Sequence, residues 1–139
     1  MPRFMTIAVA LAMVGFVSTT TLAADLTSGL AGKWHILNIE GVADLKPANT
    51  EVTIADDGAM TLTVGCNRMR ANPKIAGAKF AIGPITSTRM ACEPPLALQE
   101  RALQQALEAA RSVKLEDAGA RATLLDISDT LLVTLKRKS

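Results

Sequence analysis

Cys66 and Cys92 are the only cysteines in this chain, and each sits in a short cluster of small, polar and arginine residues: Gly65-Cys66-Asn67-Arg68-Met69-Arg70 and Ser87-Thr88-Arg89-Met90-Ala91-Cys92. If the two sulfurs are joined, the intervening segment becomes a covalently closed loop, and any fold must bring the two Cα atoms within about 7 Å. Whether they join depends on the compartment, because disulfides persist in oxidising surroundings and are rare in the cytosol.

The start of the chain speaks to that point. Arg3 gives a small positive region, Ile7 to Val17 is apolar apart from Gly15, and Thr21-Leu22-Ala23 places small residues where a signal peptidase cuts. We read residues 1–23 as a cleavable signal peptide, with cleavage after Ala23 or, alternatively, Ala24. The apolar run is well short of the roughly 20 residues a membrane span needs. No cysteine lies near the cut, so a lipid anchor is disfavoured and the expected product is a soluble periplasmic or secreted protein. Two cysteines in an exported chain fit one disulfide, and the chain-entropy model assigns closure of a loop this long about 3 to 4 kcal/mol.

Cleavage removes one charge, Arg3, so the formal net charge falls from +2 to +1. Near-neutrality gives no footprint for nucleic acid. Lys136-Arg137-Lys138 is read as a solvated chain end. Phe4 and Phe16 leave with the signal, so Trp34 and Phe80 are the remaining aromatics and the core must be built from aliphatic side chains.

The mature chain, 24–139, reads as a single domain. Gly32 to Ile39 has strand character, with Trp34 and Ile36 on one face and His35, Leu37 and Ile39 on the other, which puts the strand inside the sheet. Gly41 to Thr50 is a loop. Val52 and Ile54, the turn Asp56-Asp57-Gly58, and Met60, Leu62 and Val64 spell a hairpin with one buried face that delivers Gly65 and Cys66. Gly65 marks a close backbone approach. A second hairpin joins Lys74-Ile75 to Lys79-Ile82, and Ile85 to Met90 is a β-branched run.

After Pro94-Pro95, the periodicity predicts a helix from Leu96 to about Arg111. Its apolar stripe is Leu96, Leu103, Ala106, Leu107 and Ala110, with Gln99, Arg101, Gln104, Glu108 and Arg111 on the rest. Turn signals at Asp117-Ala118-Gly119 and Ser128-Asp129 then predict an antiparallel meander to Lys136. Strands, one main helix, then strands is an α+β arrangement: a curled antiparallel β-sheet or partial barrel with the helix packed against it.

These motifs together resemble the META domain family of HslJ-like heat-inducible envelope proteins. The resemblance runs through Gly32-Lys33-Trp34, Gly65-Cys66-Asn67-Arg68, Thr88-Arg89-Met90-Ala91-Cys92, Glu100, Leu107 and Leu124-Leu125-Asp126. It marks Trp34, Gly65, Asn67, Thr88 and Met90 as family motif positions. It implies one β-rich domain, usually in the cell envelope and associated with stress, with no catalytic activity attached. Met69 stands where the family commonly has an aromatic residue, and Arg70-Ala71-Asn72-Pro73 lacks the usual glycine and aromatic pattern.

Thiol catalysis would need a free thiolate, which a crosslink removes, and a zinc site would need three or four ligands where the chain offers two cysteines and the lone His35. We therefore expect no catalytic residue, metal or cofactor. Arg68 and Arg70 share a face if their segment is extended, and with Arg89 form a candidate site for an anionic group. Solvation or pairing with Glu93, Glu100 or aspartates is the plainer account of the three. The expected function is that of a monomeric, non-enzymatic binding or stress-protective module of the envelope, with an envelope protein or an anionic envelope component as partner. The alternative is a small secreted inhibitor or assembly partner of another envelope protein.

Overall fold

The computed structural model describes residues 29–46 and 50–139. The expected signal peptide over 1–23 and the middle of the loop at 47–49 lie outside the described residues.

Ten strands form one antiparallel sheet: β1 (Gly32–Ile39), β2 (Glu51–Ile54), β3 (Met60–Thr63), β4 (Arg68–Ala71), β5 (Lys74–Ala76), β6 (Lys79–Ala81), β7 (Thr86–Ser87), β8 (Ser112–Glu116), β9 (Arg121–Leu125) and β10 (Leu131–Arg137). Helix α1 (Pro94–Ala109) lies between β7 and β8 in sequence. The spatial order is β5-β6-β8-β9-β10-β1-β2-β3-β4-β7. This is the expected α+β arrangement of a curled antiparallel sheet and one main helix.

β4–β5 and β6–β7 behave as the two sides of a single bent ribbon. On the continuation of the pair Met69↔Ser87, Lys74 would face Ile82, but it faces Ala81. The offset falls where Pro73 and Pro84 remove backbone donors. One half of the ribbon pairs with β3, and the other pairs with β8 through Lys79↔Ser112, Phe80 N–H to Arg111 O and Val113 N–H to Ala78 O. The ribbon thus links both ends of the curled sheet through its own chain. The edge strands β5 and β7 are only three and two residues long, which limits the open edge offered to other chains.

The hairpin β2–β3 and the meander β8–β9–β10 form as predicted. β1 lies inside the sheet, between β10 and β2. One expectation about it needs correction: Ile39 is buried along with Trp34 and Ile36 rather than facing away. A register shift between Ile36 and Asn38 explains this, because the extra residue Leu37 is pushed outward, 47% exposed, and the inward face resumes at Ile39.

The run from Ile85 to Met90 contains only the two-residue β7, since the rest is held by side-chain bonds described below. The helix begins two residues earlier than predicted, with Pro94 and Pro95 in its first turn, where missing N–H groups cost nothing. It ends at Ala109. Leu103, Ala106 and Leu107 pack into one core with Trp34, Ile36, Ile39, Leu62, Leu124, Val133 and Leu135. Gln99, expected on the outer face, is buried. Its Nε2 donates to Val64 O at 2.9 Å and its Oε1 accepts from Lys46 N–H, so both ends of the amide are satisfied.

The chain end is also tied down rather than solvated. Arg137 lies over the Trp34 ring, 4.2 Å from its centroid, and donates to Gly119 O at 3.0 Å, Ala31 O at 2.8 Å and Gly29 O. A Cβ on Gly32 would come within 2.8 Å of the guanidinium, so glycine leaves room for this contact. Trp34 is fully buried, and its indole N–H donates to Leu30 O at 2.8 Å.

Candidate functional site

Cys66 and Cys92 form a disulfide, with their Cα atoms 6.0 Å apart. The crosslink joins the β3–β4 turn to the segment before α1, two irregular stretches that leave the same end of the short β4–β7 ladder. A polar knot surrounds it. The Glu100 carboxylate, one turn and a half into α1, accepts Cys66 N–H at 2.8 Å and Asn67 N–H at 2.7 Å on one oxygen, and the Asn67 amide at 2.8 Å on the other.

The buried Asn67 carries the knot further. Its Oδ1 accepts Thr88 Oγ1–H at 3.0 Å and Met90 N–H at 2.8 Å, and its Nδ2 stands 3.3 Å from Cys92 Sγ. Thr88 Oγ1 in turn accepts Arg68 N–H at 3.0 Å. Every polar atom of the Asn67 side chain is used, which an aspartate or a shorter residue would not reproduce. Gly65 fits the same logic: a Cβ there would meet Glu100 Oε1 at 3.0 Å and Leu96 O at 3.1 Å.

The family motif positions Gly65, Asn67 and Thr88 therefore build this knot. Met90 contributes its backbone N–H, while its side chain is 58% exposed. Trp34 belongs to the separate Arg137 contact. Glu100 is the central acceptor, and the sequence signal for it is a carboxylate in the first turns of a helix beside an Asn in a Gly-Cys-Asn turn.

The sulfurs and a Glu100 oxygen lie within 4.8 Å of one another, yet metal ligation by cysteine requires thiolates and the disulfide leaves none. The Glu100 oxygens already hold three N–H groups. His35 is an exposed residue of β1 and takes no part in the cluster.

Of the three candidate arginines, Arg68 and Arg70 line a common cleft. Arg68 and Arg70 alternate with buried Met69 and Ala71 on β4, so both project from its exposed face. They line a shallow cleft of about 380 Å³ with Thr86, Ser87 and Thr88. Arg68 also borders an adjoining cleft with Thr63, Cys66, Thr88 and Met90. Arg89 is exposed and lines neither cleft. Among the described residues, none of the three guanidinium groups forms an ion pair. Glu100, a candidate partner for them, accepts the N–H groups of the knot instead.

A family model described as META domain matches residues 24–139. No curated protein matches the chain. Among solved structures, an NMR structure of a protein from Burkholderia xenovorans is similar at 19% identity and a TM-score of 0.63, over 100% of this chain and 99% of that one. A second protein solved by NMR is similar at 21% identity and a TM-score of 0.55, over 76% of this chain and 87% of that one. At these identities the likeness is one of fold.

Proposed function

The chain belongs to the META domain family, and from that premise we propose that it is an exported, non-enzymatic binding or stress-protective module of the cell envelope, acting through the Arg68–Arg70 cleft on an anionic envelope component. The observation that carries the reading is the pair of exposed, unpaired guanidinium groups two residues apart on one strand, beside three hydroxyl side chains. Such an arrangement suits phosphate or carboxylate, which arginine binds with paired N–H donors. The disulfide supports an oxidising compartment. It also supports a scaffold role for the cysteines, since no thiol remains for nucleophilic chemistry. No helix among the described residues is long and apolar enough to cross a membrane.

Co-sedimentation of the chain from residue 24 onward with vesicles tests the proposal. Binding to phosphatidylglycerol-containing vesicles should exceed binding to purely zwitterionic ones and weaken with salt, as a screened surface interaction must. Arg68→Ser with Arg70→Ser should reduce it several-fold, whereas Arg89→Ser should do little. Equal binding to both vesicle types, or a double variant that binds like the parent, refutes the cleft. Mass spectrometry of the exported protein should show a start at Ala24 or Asp25; an intact residue 1 refutes the cleavage reading.

A further inference from the structure

A second concavity, of about 470 Å³, lies between the 41–46 loop and the outer flank of α1. Its size falls in the range of about 300 to 1,000 Å³ common for small-molecule sites. Val42 and Ala43 form one wall, and Pro95, Leu98 and Ala102 the other. Leu98 is 59% exposed, a large apolar side chain standing in water at the lip of the groove.

The polar groups are distributed unevenly. Gln99 lies deepest, and its amide is already satisfied by Lys46 and Val64, so the floor offers nothing that would favour a polar ligand atom. On the rim, the Lys46 ammonium is neutralised by the Asp44 carboxylate. Arg101 and Gln105 line the same rim one helical turn apart, and their side chains make no hydrogen bond or ion pair among the described residues. The groove thus joins apolar walls and a satisfied amide floor to one positive charge that is uncompensated among the described residues.

We propose that this groove binds a single-chain anionic amphiphile, with its acyl chain along Val42, Pro95, Leu98 and Ala102 and its head group at Arg101, with Gln105 as a second donor. Chain burial supplies the attraction, and Arg101 selects the sign of the head group. The site is independent of the Arg68–Arg70 cleft and does not rest on that proposal.

Titration of the isotopically labelled chain from residue 24 onward with decanoate, below its micellar concentration and followed by amide NMR, tests this. Saturable shifts confined to residues 41–46 and 95–105 are expected. Arg101→Gln should weaken decanoate about three- to fivefold, the effect of an exposed charge pair, and leave the neutral detergent decyl glucoside unaffected. Leu98→Ser should weaken both. Each variant is checked for an unchanged melting temperature, which exposed positions permit. Shifts that do not saturate, that spread over the surface or centre on Arg68 and Arg70, or an Arg101→Gln protein that binds decanoate like the parent, overturn the proposal.

Discussion

The knot around Asn67 and the contact between Trp34 and Arg137 fasten the same sheet by different physics. The knot joins two loops and a helix beyond the end of the two-pair β4–β7 ladder, using a covalent bond and short polar contacts at half-buried positions. The Trp34–Arg137 contact lies on paired strands, Trp34 opposite Arg137 in the ladder, and adds burial and a guanidinium to a backbone already held. Loops need specific chemistry at named atoms to be ordered. A laddered strand needs volume, and tolerates variation in the cation above it.

That contrast orders the consequences of mutation. Trp34→Ala should be the largest single loss, about 3 to 5 kcal/mol for removing a large core side chain, read from chemical denaturation of the chain from residue 24 onward. Against a usual total stability of about 5 to 15 kcal/mol, this brings the domain close to unfolding. Cys66→Ser with Cys92→Ser, or reduction, should cost about 3 to 4 kcal/mol, with the sheet retained in the far-ultraviolet spectrum. A disulfide-free protein as stable as the parent would show that the polar knot alone orders the loops.

Asn67→Ala should cost about 2 to 3 kcal/mol, because it strands the Thr88 hydroxyl, Met90 N–H and one Glu100 oxygen together, and each unsatisfied group costs about 1 kcal/mol or more. Its loss should not add simply to that of the disulfide, since both act on the same segments. Strict additivity in a double-mutant cycle would separate the bond from the knot. In the other region Arg137→Lys should cost less, about 1 kcal/mol. It keeps a cation over the indole but loses the fork that reaches three carbonyl groups.

The two regions also differ in how far they can be read from sequence. Alternation at Val52, Ile54, Met60 and Leu62 reports burial directly, because one face of a strand is wet, and the positions of Cys66, Asn67 and Thr88 identify a junction. What stays hidden is the geometry of approach. Glu100 looks like any exposed helical carboxylate until the turn carrying Cys66 N–H and Asn67 N–H is set against it. Gln99 reads as polar and therefore outside, yet a satisfied amide can be buried. Arg137 reads as a tail because its target, Trp34, is almost the whole chain away. The bulge at Leu37 breaks the period-two pattern by one residue, and the pattern alone does not show which residue is extra. The groove beside α1 is formed by side chains that sequence alone assigns to a loop and a solvated helix face, so it left no separate signal.

The smallest effect belongs to the chain end itself. Lys138, just past β10, donates across β1 to Glu51 of β2 at 2.6 Å, and that hydrogen bond, followed by the ammonium charge, holds the Glu51 carboxyl below the ordinary carboxylate range. Because the folded value is the lower one, its contribution to stability is present above the unfolded carboxylate value and is lost as pH falls through the depressed folded value. Both side chains are exposed to solvent, so salt should screen the interaction. Carboxyl NMR should find Glu51 titrating below an ordinary glutamate, and Lys138→Ala should return it to the usual range while leaving the melting temperature nearly unchanged. An unmoved Glu51 midpoint in that variant would assign the shift to Lys33 and His35 nearby. Either way the tie sits outside the Arg137 fork, so acid should loosen residue 138 while leaving the disulfide, which does not titrate, in place.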